Sequence, residues 1–243
     1  MRNITLEEVV QTYGVENWGA GYFEVNRKGH LAVRPAEGDP RSIDVKELID
    51  HLVDQRKQQL PILLRFPQIL TNQLKKLQRS FADATKEFSY TGGHFGVFPM
   101  KVNPRREVVE EFLREGSKYN FGVECGSKAE LYAALSLDQT PESLLICNGF
   151  KDESFINLAL MGTQIGKRVI VVVEKLNELK MILRRAQETG VRPLIGIRAK
   201  LYSKGSGSGT NYHCSIHPGM IGAVSAASGG APPACTGAYC DGY

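Results

Sequence analysis

His94-Phe-Gly-Val-Phe-Pro-Met-Lys-Val-Asn-Pro104 is an apolar, β-rich run that ends on a lysine, and Asn103 and Pro104 then stop any further strand. A lysine at the carboxyl end of a strand carries a flexible amine that reaches beyond the sheet. Phe95, Val97, Phe98 and Met100 are expected to desolvate Lys101 in part, which favours the neutral, nucleophilic amine. The competing account is a strand-end lysine that extends its amine into water. Its neighbours decide between the two.

Similar runs recur on both sides. They are Leu60–Phe66, Phe95–Lys101, Phe121–Glu124, Leu144–Cys147, Arg168–Val173 and Leu194–Arg198. After the first gap their starts fall about 23–26 residues apart, the length of a strand, a helix and two short loops. Helical periodicity fills the intervals. Asn72–Phe88 sets Leu74, Leu77, Phe81 and Ala84 on one face, and Arg106–Leu113 carries Val108, Val109, Phe112 and Leu113 before Gly116. Ser127 and Glu130 predict a capping box, and Ser154–Met161 and Asn177–Ala186 predict two more helices, the last stopping at Gly190. Continuous apolar strands that alternate with helices predict an α/β fold with a parallel sheet. Right-handed crossovers leave a (β/α) barrel or a doubly wound sheet.

The first 57 residues read differently. Tyr22–Val33 alternates around Asn26–Gly29 and predicts a β-hairpin, and Asp44–Gln58 predicts a helix. Residues 1–57 are therefore expected to form an N-terminal extension, and residues 58–204 the main barrel-like domain. From Gly205 the composition changes: residues 205–243 hold no lysine, arginine or leucine, one acid (Asp241), nine glycines and three cysteines. That stretch cannot bury enough apolar surface to offset its ordering entropy and is expected to be disordered. Translation in a shifted reading frame would produce such a tail, and a natural low-complexity tail is the alternative. His213, Cys214, His217, Cys235 and Cys240 fit no standard zinc spacing.

A net charge of +4 in 243 residues, dispersed among acids, argues against nucleic acid as a partner. The apolar runs are too short to span a bilayer, and the acidic N-terminus is no secretory signal, so a cytoplasmic protein is expected. Cys125 and Cys147 lie in strand-like runs and are expected to serve as small buried hydrophobes.

Six motifs, in order and with natural spacing, resemble one family. They are Leu64-Arg-Phe-Pro-Gln-Ile-Leu70, Val97-Phe-Pro-Met-Lys-Val-Asn103, Glu124-Cys-Gly-Ser-Lys-Ala-Glu-Leu131, Cys147-Asn-Gly-Phe-Lys-Asp152, Gly196-Ile-Arg-Ala-Lys200 and the opening Tyr13-Gly…Trp18-Gly…Tyr22-Phe-Glu-Val-Asn…Gly29-His. Over residues 10–207 the chain resembles the N-terminal portion of the biosynthetic arginine decarboxylases, pyridoxal-phosphate enzymes of the alanine-racemase-like barrel group. The resemblance implies a partial TIM-type barrel in which Lys101 forms the Schiff base with pyridoxal 5'-phosphate. It also implies decarboxylation of L-arginine to agmatine in polyamine biosynthesis, with the cofactor as electron sink. Lys151, which also follows a strand, is the rival lysine. Glu124 corresponds to an acid close to the cofactor, a partner for Lys128 being the alternative. Arg198 matches an arginine near the cofactor ring, a structural ion pair being the alternative. His94 is expected to be a plain surface histidine. The family also uses magnesium and forms homo-oligomers, but no metal constellation is visible in the sequence. The family's later ring-stacking histidine, phosphate-binding loops and β-domain have no counterpart here, so an inactive truncated fragment is expected. A non-enzymatic pyridoxal-phosphate-binding barrel and a related ornithine, lysine or diaminopimelate decarboxylase are the other readings.

Overall fold

The computed structural model describes residues 4–198. The chain divides into two compact units between Ser80 and Phe81. The disorder expected for residues 205–243, and the tail cysteines and histidines, lie outside the described residues.

The first unit begins with α1 (Leu6–Tyr13), capped by Thr5: the Glu8 N–H donates to Thr5 Oγ1 (3.2 Å) while the Thr5 N–H donates to Glu8 Oε2 (3.0 Å). A short helix, α2 (Val15–Gly19), leads into the antiparallel sheet β1 (Phe23–Val25), β2 (Leu31–Val33) and β3 (Ile43–Asp44). The β1–β2 pair is the predicted hairpin, in register Phe23 with Val33 and Val25 with Leu31. Asn26 forms its turn, because Asn26 Oδ1 accepts from the Lys28 and His30 N–H groups. Asp44 ends β3 and caps α3 (Val45–Asp50), accepting from the Glu47 N–H at 3.0 Å. A π-helical turn over His51–Gln55 completes this segment three residues short of the predicted Gln58.

Leu60–Phe66 is not the strand its composition predicts. Ile62, Leu64 and Phe66 are half-buried and Leu63 and Arg65 exposed, which is strand-like alternation, yet the segment pairs with no strand among the described residues. Pro61 offers no N–H, and at Pro67 the chain turns into helix. The resulting helix, α4 (Pro67–Glu87), starts five residues before the predicted Asn72 and runs across the division between the units. Its first half belongs with the N-terminal unit, where Tyr22 donates to Asn72 Oδ1 at 2.5 Å. The expected boundary at 57/58 falls earlier than this division. Along the predicted apolar face Leu74 is buried, but Leu77 and Phe81 remain 46% and 45% exposed.

The second unit is a five-stranded parallel sheet: β4 (Val97–Pro99), β5 (Gly122–Cys125), β6 (Leu144–Cys147), β7 (Arg168–Val173) and β8 (Leu194–Ile197). The strands lie side by side in chain order. Between them run α5 (Arg106–Gly116), α6 (Lys128–Leu135), α7 (Glu153–Gln164) and α8 (Leu176–Thr189). Successive crossovers of one hand, each stepping to the next strand, place every helix on the same face of the sheet. That winding builds the arc of a (β/α) barrel and excludes a doubly wound sheet, whose order reverses at a switch point.

The burial pattern agrees. Val169, Val171 and Val173 are buried while Arg168, Ile170 and Val172 between them are half-buried. The register continues the first set through Val123, Cys125, Leu145, Cys147 and Ile195, which pack with Leu131, Phe155, Ile156, Leu179 and Ile182 of the helices in one core. The second set forms the opposite, concave face. Cys125 and Cys147 are free thiols in the core, as expected; burial pushes the Cys147 thiol up to about 12. α6 shows a variation on the predicted cap. Ser127 Oγ accepts from the Glu130 N–H, but Glu130 Oε2 reaches back to the Gly126 N–H (2.6 Å) rather than to that of Ser127.

Candidate active site

The carboxyl ends of β4 to β8 bring together most of the residues singled out in the sequence. The Met100 N–H donates to Glu124 O at 3.0 Å, the last sheet bond of β4, and the chain then turns over Lys101 and Val102. Met100 is buried in the helix-side core, where its sulfur lies 3.9 Å from Cys125 Sγ. Lys101 comes one residue later and is exposed. Two of the neighbours expected to desolvate it turn to the helix side. Phe98 stacks on Phe112 of α5, 4.2 Å between centroids, and Met100 faces the core, so both serve packing on the helix side.

Glu124, on β5, is buried at 2% exposure, and its Oε1 accepts from Asn148 Nδ2 at 3.0 Å. The alternative partner, Lys128, is engaged elsewhere: its Nζ donates to Asp152 Oδ2 (2.6 Å) and Ser154 Oγ (3.1 Å). This contact holds the Asp152 carboxyl down at about 2, helped by the Phe155 N–H. Asn148 follows β6 and is itself buried, its N–H bonded to Cys125 O.

Gly149 then passes close to the neighbouring loop in a left-handed conformation (φ +74°), where a Cβ would lie 2.3 Å from Gly126 O. Only glycine fits there without displacing backbone. The Gly149 N–H donates to Glu174 Oε1 at 2.9 Å, and the same oxygen accepts from Arg198 Nη1 at 3.1 Å. Arg198 thus sits at the end of β8 in an ion pair. The rim reads in order as Glu124 with Asn148 across β5 and β6, then Gly149, Glu174 and Arg198 across β6, β7 and β8.

Lys151 has a different environment. Its side chain is fully enclosed, Nζ donates to Gly149 O at 2.6 Å, and Glu178 Oε2 lies 3.9 Å away. Burial lowers its pKa from the ordinary lysine value, against the pull of Glu178. Glu178 also accepts from the backbone N–H groups of Lys151 (3.1 Å), Glu174 (2.8 Å) and Lys175 (3.3 Å). Lys151 and Glu178 therefore clamp the β6–α7 loop to the β7–α8 loop.

Sequence reasoning does not reach Asn148, Glu174 or Glu178. Asn148 and Glu174 are detectable in principle, since each directly follows a strand, as Arg198 does. His94 is not a plain surface residue: it is half-buried and stacks on Phe81 at 3.8 Å, and burial lowers its pKa. No cluster of three or more His, Cys, Asp or Glu that could hold a metal occurs among the described residues, and no described helix is long and apolar enough to cross a membrane.

Residues 74–212 match the family described as pyridoxal-dependent decarboxylase, pyridoxal binding domain. The chain is 46% identical over 207 residues to a biosynthetic arginine decarboxylase of Phocaeicola vulgatus, covering 85% of this chain and 32% of the relative. To the protein of the same name from Deinococcus radiodurans it is 44% identical over 205 residues, covering 84% and 30%. It thus spans about a third of the length of the curated relatives it matches. Among solved structures, the biosynthetic arginine decarboxylase of Campylobacter jejuni superposes with a TM-score of 0.74 at 29% identity, covering 89% of this chain and 35% of that one. The diaminopimelate decarboxylase of M. jannaschi, at 17% identity and a TM-score of 0.59, covers 87% and 45% and shares the fold. With the family matched over more than half its length, and the parallel arc and its carboxyl-end rim in place, the chain belongs to the pyridoxal-dependent decarboxylases through their pyridoxal-binding domain.

Proposed function

We propose that this chain carries the cofactor-binding part of an enzyme that decarboxylates L-arginine to agmatine, with Lys101 as the lysine that joins pyridoxal 5'-phosphate. The observation that carries the reading is the contrast between the two rim lysines: Lys101 is exposed beyond β4, whereas the side chain of Lys151 has no exposure and is held by Gly149 O and Glu178. An aldehyde needs an amine that solvent can reach, and Lys101 stands at an exposed position while the Lys151 side chain is enclosed. An exposed lysine at the carboxyl rim fits the group's need for an amine. When bound, pyridoxal phosphate supplies the aldehyde that bonds to an amine and the ring that takes up the electron pair left by departing carbon dioxide.

The chain's own residues prepare that chemistry. Asn148 fixes one oxygen of Glu124, so the buried carboxylate keeps a set direction at the rim. Arg198 supplies a positive charge at the end of β8. Gly149 lets its loop approach the Gly126 backbone closely beside the strand ends. The choice of arginine as substrate rests on the identity with the named relatives.

Borohydride fixation tests the reading. Pyridoxal phosphate is added to the full chain, the adduct is reduced, and the labelled peptide is sequenced. Lys101 should carry the label and Lys101→Ala should abolish it; label on Lys151 would overturn the assignment. Carbon dioxide release from carboxyl-labelled arginine, ornithine and diaminopimelate then ranks the substrates. A preference for either of the last two would replace arginine.

A further inference from the structure

Glu174 has no part in the reading above, yet it connects three strand ends. It follows β7, and its Oε1 accepts both the Gly149 N–H (2.9 Å) and Arg198 Nη1 (3.1 Å). The two members of the ion pair differ in freedom. The Arg198 side chain is 52% exposed, whereas that of Glu174 is 13% exposed. The Glu174 backbone N–H is itself fixed by Glu178 Oε2 at 2.8 Å. A long guanidinium stem with half its surface in water samples many rotamers unless something holds it. Here the acid is the fixed partner and the arginine the held one. The pair uses a single N–H of the guanidinium fork, so most of its five donors face elsewhere.

We propose that Glu174 is a positioning residue that holds the Arg198 guanidinium at the carboxyl rim, so that its other N–H groups take an anionic oxygen of bound pyridoxal phosphate. The inference rests on the cofactor reading given above. On this account the carboxylate at the end of β7 touches no reacting atom and acts by aiming a cation.

The test uses the full chain with Glu174→Gln, Arg198→Ala and both together. Glutamine keeps a carbonyl oxygen for the Gly149 N–H and removes only the charge, so thermal melting should change little. Titration with pyridoxal phosphate, followed by its visible absorbance, should show Glu174→Gln weakening affinity roughly three- to fivefold, the range of a half-exposed ion pair. Arg198→Ala should weaken it at least as much, and the double variant no further. Parallel titration with pyridoxal tells which oxygen is held: a loss confined to the phosphorylated form assigns the phosphate, and an equal loss assigns the ring oxygen. Parent-like binding by Glu174→Gln overturns the proposal, as do losses that multiply in the double variant. A second measurement needs no cofactor. Modification of Arg198 by phenylglyoxal, read by mass spectrometry, should be several-fold faster in Glu174→Gln, because a neutral amide oxygen holds the guanidinium less firmly than a carboxylate. An unchanged rate overturns the proposal even where no variant develops a visible band. Retention of the band by Lys101→Ala sinks the cofactor reading instead, and leaves the phenylglyoxal rates to decide on Glu174.

Discussion

Gly149→Ala should be far more damaging than the same change at Gly166 or Gly190. All three glycines hold left-handed backbone, at φ +74°, +87° and +69°. Alanine in that region costs about 1 kcal/mol at each site. At Gly166 and Gly190 nothing lies within 4 Å of the added methyl group, so the cost ends there. At Gly149 the new Cβ would sit 2.3 Å from Gly126 O, a backbone atom that cannot rotate aside. Relieving the overlap needs a shift of about 1 Å, with an overpacking cost of about 1–3 kcal/mol. The shift also strains the Gly149 N–H bond to Glu174 and the neighbouring Asn148 bond to Glu124, each worth about 1 kcal/mol or more with a carboxylate acceptor. The sum is about 4–6 kcal/mol for Gly149→Ala against about 1 kcal/mol for the other two. Urea denaturation of the full chain, followed by far-ultraviolet circular dichroism, gives the three values side by side. A Gly149→Ala midpoint equal to that of Gly166→Ala would refute the close-packed description of these loops.

Glu178→Ala should destabilise by about 3–5 kcal/mol, because it strands a buried ammonium and three backbone N–H groups. Lys151→Met should cost only about 1–2 kcal/mol, since Glu178 keeps its amide donors; the reverse order in urea melts would contradict the clamp. Burial lowers the Lys151 pKa, so the unfolded chain binds more protons between that lowered value and 10.5. Its contribution to stability therefore rises with pH across that window, a slope that Lys151→Met should remove. Asp152 acts in the opposite range: its carboxyl is held at about 2 against 3.8, so the stability it contributes is present above 3.8 and lost as pH falls through about 2. Asp152→Asn keeps an N-cap for α7 and should flatten the acid limb of the stability curve; an unaltered limb would rule out Asp152 as a contributor.

The parallel arc was legible because five apolar runs carry one spacing, and because the caps at Ser127 and Gly190 bracket their helices. Leu60–Phe66 misled because alternation records which side chains seek burial, whereas a strand also needs a hydrogen-bonding neighbour, a non-local fact. Leu77 and Phe81 misled in the other direction, as their apolar spacing predicts a covered face and both remain substantially exposed. At the rim, Lys101, Glu124 and Arg198 were each visible through their place at a strand end. What joins them was not. The partner of Glu124 is 24 residues away, and Glu174 reaches back 25 residues to Gly149 and forward 24 to Arg198. Such links follow from strand order and register, which the spacing of runs does not specify. The enclosure of Lys151 is likewise non-local: sequence shows a second lysine after a strand, which the family motif already ranks behind Lys101, but not the carboxylate of Glu178 27 residues away that holds it.

Glu178 has a consequence for motion. One carboxylate accepts hydrogen bonds from the amides of Lys151, Glu174 and Lys175, donors of two loops shared between its two oxygens. Neither loop can swing outward on its own without leaving the other's amides facing an acceptor that has lost its place. The two segments should therefore breathe as one body, and whatever stiffens the approach to Asn148 will at the same moment still the cation at the end of β8.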